Sequence, residues 1–506
     1  MELSRYLEKG EVCGLALGAF LMGIAAHSFV PFMHADEVWI ASALVACVMA
    51  AAAYRDTRIA VVAVVLSASA ILGFWRFNIS VPRANQGLLP WLGRGAVFQG
   101  RVLAQGTMRN QATLLVAVAE AGGRQIQGPA KSIFLRLKGQ APEIGTTTSF
   151  SCTPRVPGTF PANLERRRSL ARKDVWSECS AAVLVETVKP PNPWDPLVWL
   201  ARWRALLTAR IASVLPPDEA ELTTGILYGD QDLSAGMKDL FQRAGLMHLV
   251  AVSGSNVTIV VSVLLALVLA LGFSRRRGFW IVSFGLLVFV GFVGCGASVL
   301  RAAIMGWLVI LARHLGRLAW TSRLLLVAAA ALNISNPWLL AFDPGFALSF
   351  LATWGLMSWS PIFQDRLKSV PNILACRESL AATCGATFMT APYMAWVFGR
   401  MSLAGLMTNA LALPLVPWTM LWAAVCAAWG NWPGWSVTSL PALGLVRLII
   451  WISHLADFVP WLDLHLPQMD FPLLVAAYGT LYYWWRGLQP DGSNQKMVVD
   501  RSDKNN

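Results

Sequence analysis

HLVAVSGSNVTIVVSVLLALVLALGF, residues 248–273, decides what kind of fold this chain adopts. After His248 the stretch is uncharged from 249 to 273, longer than the roughly 20 apolar residues that a helix needs to cross a bilayer. Its opening is nevertheless polar, with His248, Ser253, Ser255 and Asn256 around Gly254. Hydrocarbon offers no hydrogen bonds, so such groups must meet protein, water or a ligand. A polar, glycine-broken opening points to a transport path rather than a plain anchor.

The rest of the chain agrees with a membrane setting. Of 506 residues, 56% are hydrophobic and only 14% charged, against about 25% charge in soluble domains. Residues 12–33 resemble a signal peptide, but apolar runs at 38–54 and 59–75 follow at once, which favours three retained helices. Basic residues then set the orientation, because Lys and Arg concentrate in cytoplasmic loops. Arg55 and Arg58 follow the second run, Arg275, Arg276 and Arg277 the fourth, and Arg313, Arg317 and Arg323 the sixth. Arg366, Lys368 and Arg377 follow the eighth, and Arg486 the last. The alternate loops hold Asp36 and Glu37, then Asp343, then Asp457, Asp463 and Asp470, with Arg400 as a lone basic exception. The pattern fits a polytopic α-helical membrane protein of about 12 spans with both termini in the cytoplasm.

Five segments follow from composition: three membrane helices in 1–82, a polar extracytoplasmic region at 83–190, amphipathic and short soluble helices at 191–247, a core of about nine spans at 248–486, and a disordered cytoplasmic tail at 487–506. The polar region alternates like strands at 96–104, 112–119 and 132–138, and glycines punctuate it, so a small β-barrel or sandwich is expected. It carries 15 Lys/Arg and 6 Asp/Glu, net +9 of the chain's +13. It also holds Cys152 and Cys179, a plausible disulfide pair outside the cytoplasm. Residues 195–215 read as an amphipathic helix, with Trp199 and Trp203 beside Arg202, Arg204 and Arg210, lying on the outer membrane surface or packed against the barrel. In the core, 279–300 is interrupted by Gly291, Gly294 and Gly296, with Arg301 dividing it from 302–312. The uncharged stretch 401–446 carries Asn409, Pro414, Pro417 and Pro433 and fits two spans, at least one broken.

Four stretches together resemble the ComEC-type competence proteins: GLMHLVAVSGSNV at 245–257, GASVLRAAIM at 296–305, NPWLLAFDPGFALSFLATWGL at 336–356, and NALALPLVP at 409–417. The resemblance implies an inner-membrane channel of a bacterium that takes up single-stranded DNA during natural transformation. It also implies an OB-like outer domain, a DNA receptor outside and a separate nuclease, with energy from an ATP-driven motor or from the proton gradient. Many members end in a metallo-β-lactamase-like domain, whereas only about 20 residues follow Trp485 here. The six histidines form no HxH or HxxEH pair, and no GxxxxGK[ST] loop exists. The expectation is therefore no enzyme, no cofactor and no metal.

Candidate residues follow with their alternatives. His248, Ser253, Ser255, Asn256, Arg301 and Asn409 are candidates for a DNA path. A lipid-facing Arg301 would cost about 2.5 kcal/mol or more, so it faces a cavity, meeting either phosphate or a carboxylate such as Asp343. Asp343, Gly345, Ser349, Phe350 and Pro414 read as structural, with Asp343 placed to cap the helix that follows it. Arg166, Arg167, Arg168, Arg172 and Lys173 form the densest basic cluster of the outer region, a strand-binding surface or a solvated loop. Membrane lipids are the other partner, and homo-oligomers are open. Two rival functions remain: a secondary transporter of a small anionic metabolite, and a membrane scaffold binding lipid or an envelope polymer.

Overall fold

The computed structural model describes residues 9–29, 57–81, 86–108, 111–128, 130–137, 141–157, 170–229, 233–250, 254–294, 297–314, 321–368, 376–429, 439–467 and 469–488. The expected second span at 38–54 and the tail beyond 488 lie outside these residues. Backbone contacts divide the chain into two units. One comprises Met1–Lys238, Met247–Ala347 and Val416–Leu448, and the other Asp239–Leu246, Leu348–Leu415 and Ile449–Asn506.

The first unit starts with helices α1 (Lys9–Phe29) and α2 (Thr57–Ser80). They approach so closely that a Cβ on Gly23 would overlap the Ala70 carbonyl, and one on Gly73 that of Phe20. Small residues at such a crossing are how membrane helices gain packing contacts.

Six strands come next: β1 (Ala96–Met108), β2 (Gln111–Ala121), β3 (Arg124–Gln125), β4 (Ser132–Leu137), β5 (Thr147–Cys152) and β6 (Val175–Lys189). Five of them close into a barrel in the order β1-β5-β6-β4-β2 and back to β1, with β3 a short extension on β2. All pairs are antiparallel except β4 with β6. The strand β1 shifts register between Gln99 and Gly100, where a Cβ would sit 2.6 Å from Val116 Cγ1; glycine lets the strand bend there. Alternating side chains fill the interior: Phe98, Val102, Leu114, Val116, Ile133, Leu135, Phe150, Cys152 and Cys179. Burying a phenylalanine such as Phe98 contributes about 1.5–3 kcal/mol.

The remaining helices of this unit are α3 (Pro196–Val214), α4 (Pro217–Tyr228), α6 (Met247–Val250), α7 (Gly254–Ala270), α8 (Arg275–Val293), α9 (Ala297–His314), α10 (Thr321–Ser335), α11 (Trp338–Phe342), the first turn of α12 (Pro344–Ser358), and α16 (Val416–Trp429) with the start of α17 (Leu440–His454). Asp195 opens α3 by accepting the Leu197 N–H at 3.0 Å, a side-chain cap just ahead of Pro196. Val268, Val282, Leu286, Val290, Val299 and Ala303 pack α7, α8 and α9 together. One expectation is corrected here. Arg301 does not divide two helical pieces but lies inside α9; the break falls at Gly294, one of the three expected interruptions, whose φ of 98° ends α8.

The second unit holds the C-terminal part of α5 (Ala235–Arg243), most of α12, α13 (Ser360–Arg366), α14 (Cys376–Val397), β7 (Arg400–Ser402), α15 (Gly405–Ala412), the end of α17, β8 (Asp463–His465) and α18 (Phe471–Leu488). The strands β7 and β8 pair antiparallel.

Among the described residues, four helices are long and apolar enough to cross a membrane: Val61–Ser80, Arg275–Val293, Gly405–Trp429 and Leu440–Phe458. The pair Pro344–Ser358 and Ser360–Arg366, bent by 46°, makes a fifth if read as one broken span. Shorter apolar helices occupy Val12–Ser28, Asn256–Ala270, Val299–Ala312 and Arg323–Ser335. The chain is a multi-pass membrane protein. Pro414 breaks nothing: it sits in a 3-10 turn, Leu413–Leu415, that joins α15 to α16 within one span.

Candidate functional site

One place where the barrel meets the helical core is the turn 170–174. Asp174 holds it: one carboxylate oxygen accepts the Ala130 N–H at 2.7 Å and the other the Lys131 N–H at 3.3 Å. Asp174 and Ala130 both adopt positive φ, 56° and 65°, so this turn is tightly specified by its side-chain bonds. A core asparagine grips it from the other side. Asn336 donates to the Arg172 carbonyl at 2.6 Å, and its Oδ1 accepts the Trp338 N–H. Asn333 accepts the Leu340 N–H at 3.2 Å. Trp176 of β6 packs edge-on against Trp338, which also stacks on Phe77 of α2.

At this seam Asp343 lies between two arginines. Its Oδ1 accepts the Gly345 N–H at 3.0 Å, capping α12, and is ion-paired with Nη1 of Arg172. Its Oδ2 lies 3.8 Å from Nη1 of Arg301 and has no hydrogen-bond partner. Arg301 is 1% exposed and donates from Nη2 to the Gly345 carbonyl at 2.7 Å, with its guanidinium 5.6 Å from the centre of the Phe346 ring. Its Nε and Nη1 make no hydrogen bond. The arrangement holds two cations against one carboxylate, with Lys173 exposed beside it. Buried charge in apolar surroundings is costly unless paired, so this excess of positive charge is the feature of the core that calls for chemistry.

The other candidates fall as follows. His248 is exposed on α6. Asn256 is fully buried in α7 and donates to the Ile226 carbonyl of α4 at 2.9 Å, so it ties two helices together. Gly254, at the start of α7, faces Ala302, the neighbour of Arg301, with a Cβ position 3.9 Å from its Cβ. Gly254 therefore packs beside the residue that follows Arg301, while the Arg301 side chain is turned to Gly345 and Asp343. Ser253 lies outside the described residues, as do Arg166, Arg167 and Arg168, and the side chain of Ser255 is also outside them. In the second unit, Asn409 is 7% exposed with Oδ1 lacking a hydrogen-bond partner. There Ser349 offers its carbonyl to Thr353 Oγ1 at 2.8 Å, and Phe350 is half-buried.

Three outer-domain aromatics are unavailable for stacking on bases, while Trp91 and Phe134 are half-buried. Phe98, Phe150 and Trp176 are buried, the first two against each other in the barrel centre. Cys152 and Cys179 are both buried, and a hydrogen bond from the Cys179 thiol, followed by burial, pushes the Cys152 thiol well above its usual range.

Sequence reasoning missed three structural arginines. Arg76, Arg204 and Arg210 each donate to last-turn carbonyls of an apolar helix: Ile334 and Ser335 of α10, Val293 of α8, and Ala427 and Ala428 of α16. A cation there completes the orphan carbonyls and meets the negative end of the helix dipole. The signal was absent locally, because each arginine is far in sequence from the helix it caps. The expected surface helix α3 is also tied to the barrel, through the Arg101–Asp195 ion pair and Val198 buried against Gly145.

Arg400, the lone basic residue of its loop, is answered by Asp463 across the β7–β8 pair, with contacts of 2.6 and 3.0 Å. Beside them a cleft of about 260 Å³ is lined by Arg243, Ala456, Asp457, Val459, Pro460 and Asp463. No group of three or more metal-ligating side chains occurs among the described residues.

A family described as "Competence protein" matches residues 226–490. Over 323 residues the chain is 26% identical to "ComE operon protein 3" of Bacillus subtilis (strain 168), an alignment that covers 63% of this chain. It spans 39% of that relative's length. No solved structure matches.

Proposed function

The chain belongs to the competence protein family, and from that premise we propose that it conducts single-stranded DNA across the bacterial inner membrane into the cytoplasm. The observation that carries this reading is the seam of Arg172, Asp343 and Arg301, a buried net positive charge in a chain whose outer domain has a net charge of +9. A polyanion carries one charge per nucleotide, and basic surfaces both attract and position it. The barrel is OB-like in this reading, a small Greek-key barrel of the kind that binds oligonucleotides. Its strand order, β1-β2-β4-β6-β5 with a parallel β4–β6 pair, supports that assignment. With Phe98 and Phe150 turned inward, it holds a strand chiefly by charge.

About 12 spans place both termini in the cytoplasm and the barrel outside. The chain itself cuts nothing and hydrolyses no ATP. A DNA receptor outside, a nuclease and an ATP-driven motor are its partners, and Cys152 and Cys179 join as a disulfide in the oxidising compartment. The test is a salt titration of single-stranded DNA binding by the full chain. Phosphate contacts make affinity fall steeply with salt, and binding that is absent or salt-independent overturns the proposal.

A further inference from the structure

The cluster at the barrel–core seam is incomplete in one direction only. Cations exceed carboxylates, and two donors of a 2%-exposed arginine side chain, Nε and Nη1 of Arg301, meet no acceptor. Asp343 is committed elsewhere: its Oδ1 serves both the Gly345 N–H and Arg172, which leaves Oδ2 turned toward Arg301 at 3.8 Å, beyond hydrogen-bonding distance. Arg172 is the solvent side of the cluster, with 23% of its side chain exposed, and Lys173 next to it is exposed as well. A carboxylate held near a guanidinium without bonding it well is a poor partner. A tetrahedral anion has more acceptor oxygens and matches the guanidinium fork better.

We propose that Arg172, Lys173 and Arg301 form a phosphodiester-binding site at the barrel–core seam, which Asp343 occupies as an internal stand-in until a phosphate of the strand displaces it. This rests on the DNA-conducting reading above and adds an autoinhibitory contact to it. Asp343 serves the closed state in two ways: it neutralises part of the buried charge, and it ties the turn at 170–174 to the first turn of α12. Arrival of a phosphate releases the turn from Asp343 while the cap on Gly345 remains.

Because a carboxylate competes with the ligand, its removal has an unusual sign: losing Asp343's charge improves binding. The experiment measures affinity of a fluorescent single-stranded oligodeoxynucleotide for the full chain in nanodiscs of neutral phosphatidylcholine. Asp343→Asn, which keeps an oxygen to cap Gly345, is expected to tighten binding about tenfold, the equivalent of ~1.4 kcal/mol. Glu186→Gln, the same charge change at an exposed position on the barrel, leaves affinity within about twofold, a long-range effect that salt screens. Arg301→Gln and Arg172→Gln each weaken binding and reduce the salt slope by about 0.7, one single-strand phosphate contact.

If Asp343→Asn does not fold, the double variant with Arg172→Gln, which restores the local charge, must bind tighter than Arg172→Gln alone. Wild-type protein that binds no oligonucleotide overturns both this site and the DNA-conducting reading. Wild-type protein that binds, with Asp343→Asn no tighter than Glu186→Gln, overturns the stand-in alone. A gain present in neutral nanodiscs but lost in anionic ones assigns the site to lipid headgroups and overturns the strand as its occupant.

Discussion

Replacing Asp343 by alanine is expected to cost far more stability than replacing Arg301 by methionine, although the two side chains form one ion pair. Asp343→Ala removes the acceptor for the Gly345 N–H, a cap worth about 1 kcal/mol. It also strands the buried guanidinium of Arg301 and removes the partner of Arg172, and an uncompensated buried charge costs about 3–5 kcal/mol. Arg301→Met instead leaves Asp343 paired with Arg172 and still capping α12, and fills the space with an apolar side chain of similar length. The cost of about 3–5 kcal/mol for removing one ion-pair partner comes from the charge left uncompensated, and here Asp343 keeps Arg172, so the change is expected to cost only about 1 kcal/mol. Heating the purified protein in detergent and following the monodisperse fraction by size exclusion reads the difference. Asp343→Ala should lower the midpoint by on the order of 5–10 °C, with Arg301→Met close to wild type. Equal losses in the two variants would refute the reasoning, because they would mean that Arg301, not the shared carboxylate, organises the seam.

Gly23→Leu should separate α1 from α2 and reduce the yield of folded protein, since the Ala70 carbonyl occupies the space of its Cβ; Gly14→Leu, where nothing lies within 4 Å, should not. Arg400 bonding holds the Asp463 carboxyl below its ordinary value of 3.8, so this pair stabilises the fold above that pH and the contribution is lost as pH falls through the lowered value. Arg400→Gln should therefore flatten the acid end of a stability-versus-pH curve and leave the curve above pH 5 parallel to wild type; an unchanged acid limb contradicts it. Oxidation of the intact protein should close a Cys152–Cys179 bridge, seen as a nonreducing gel shift that is absent in Cys152→Ser; no shift in wild type contradicts the pairing.

The membrane class and the barrel were legible in the sequence because both rest on local pattern. Runs such as 279–293 are too apolar for water, and β4 alternates in and out residue by residue. The strand β5, TTSFSC, was not, since its buried positions include Thr148 and Ser149 as well as Phe150 and Cys152, and polarity hides the period. The interruption at Gly294 was legible, but Arg301 was read as a further division because a charge looks like a boundary, whereas the arginine is buried within a helix by its long-range partner. The pairing of Arg301 with Asp343 could be entertained from sequence, but the part played by Arg172 could not. It lies 171 positions before Asp343, on another domain, and only the closed barrel brings its turn to the core.

Uptake of labelled DNA by cells tests the central claim most directly. Cells lacking this chain, complemented with wild type, should internalise single strands, and cells carrying Arg301→Ala at equal membrane abundance should do so several-fold more slowly. Normal internalisation in cells without the chain would contradict the account.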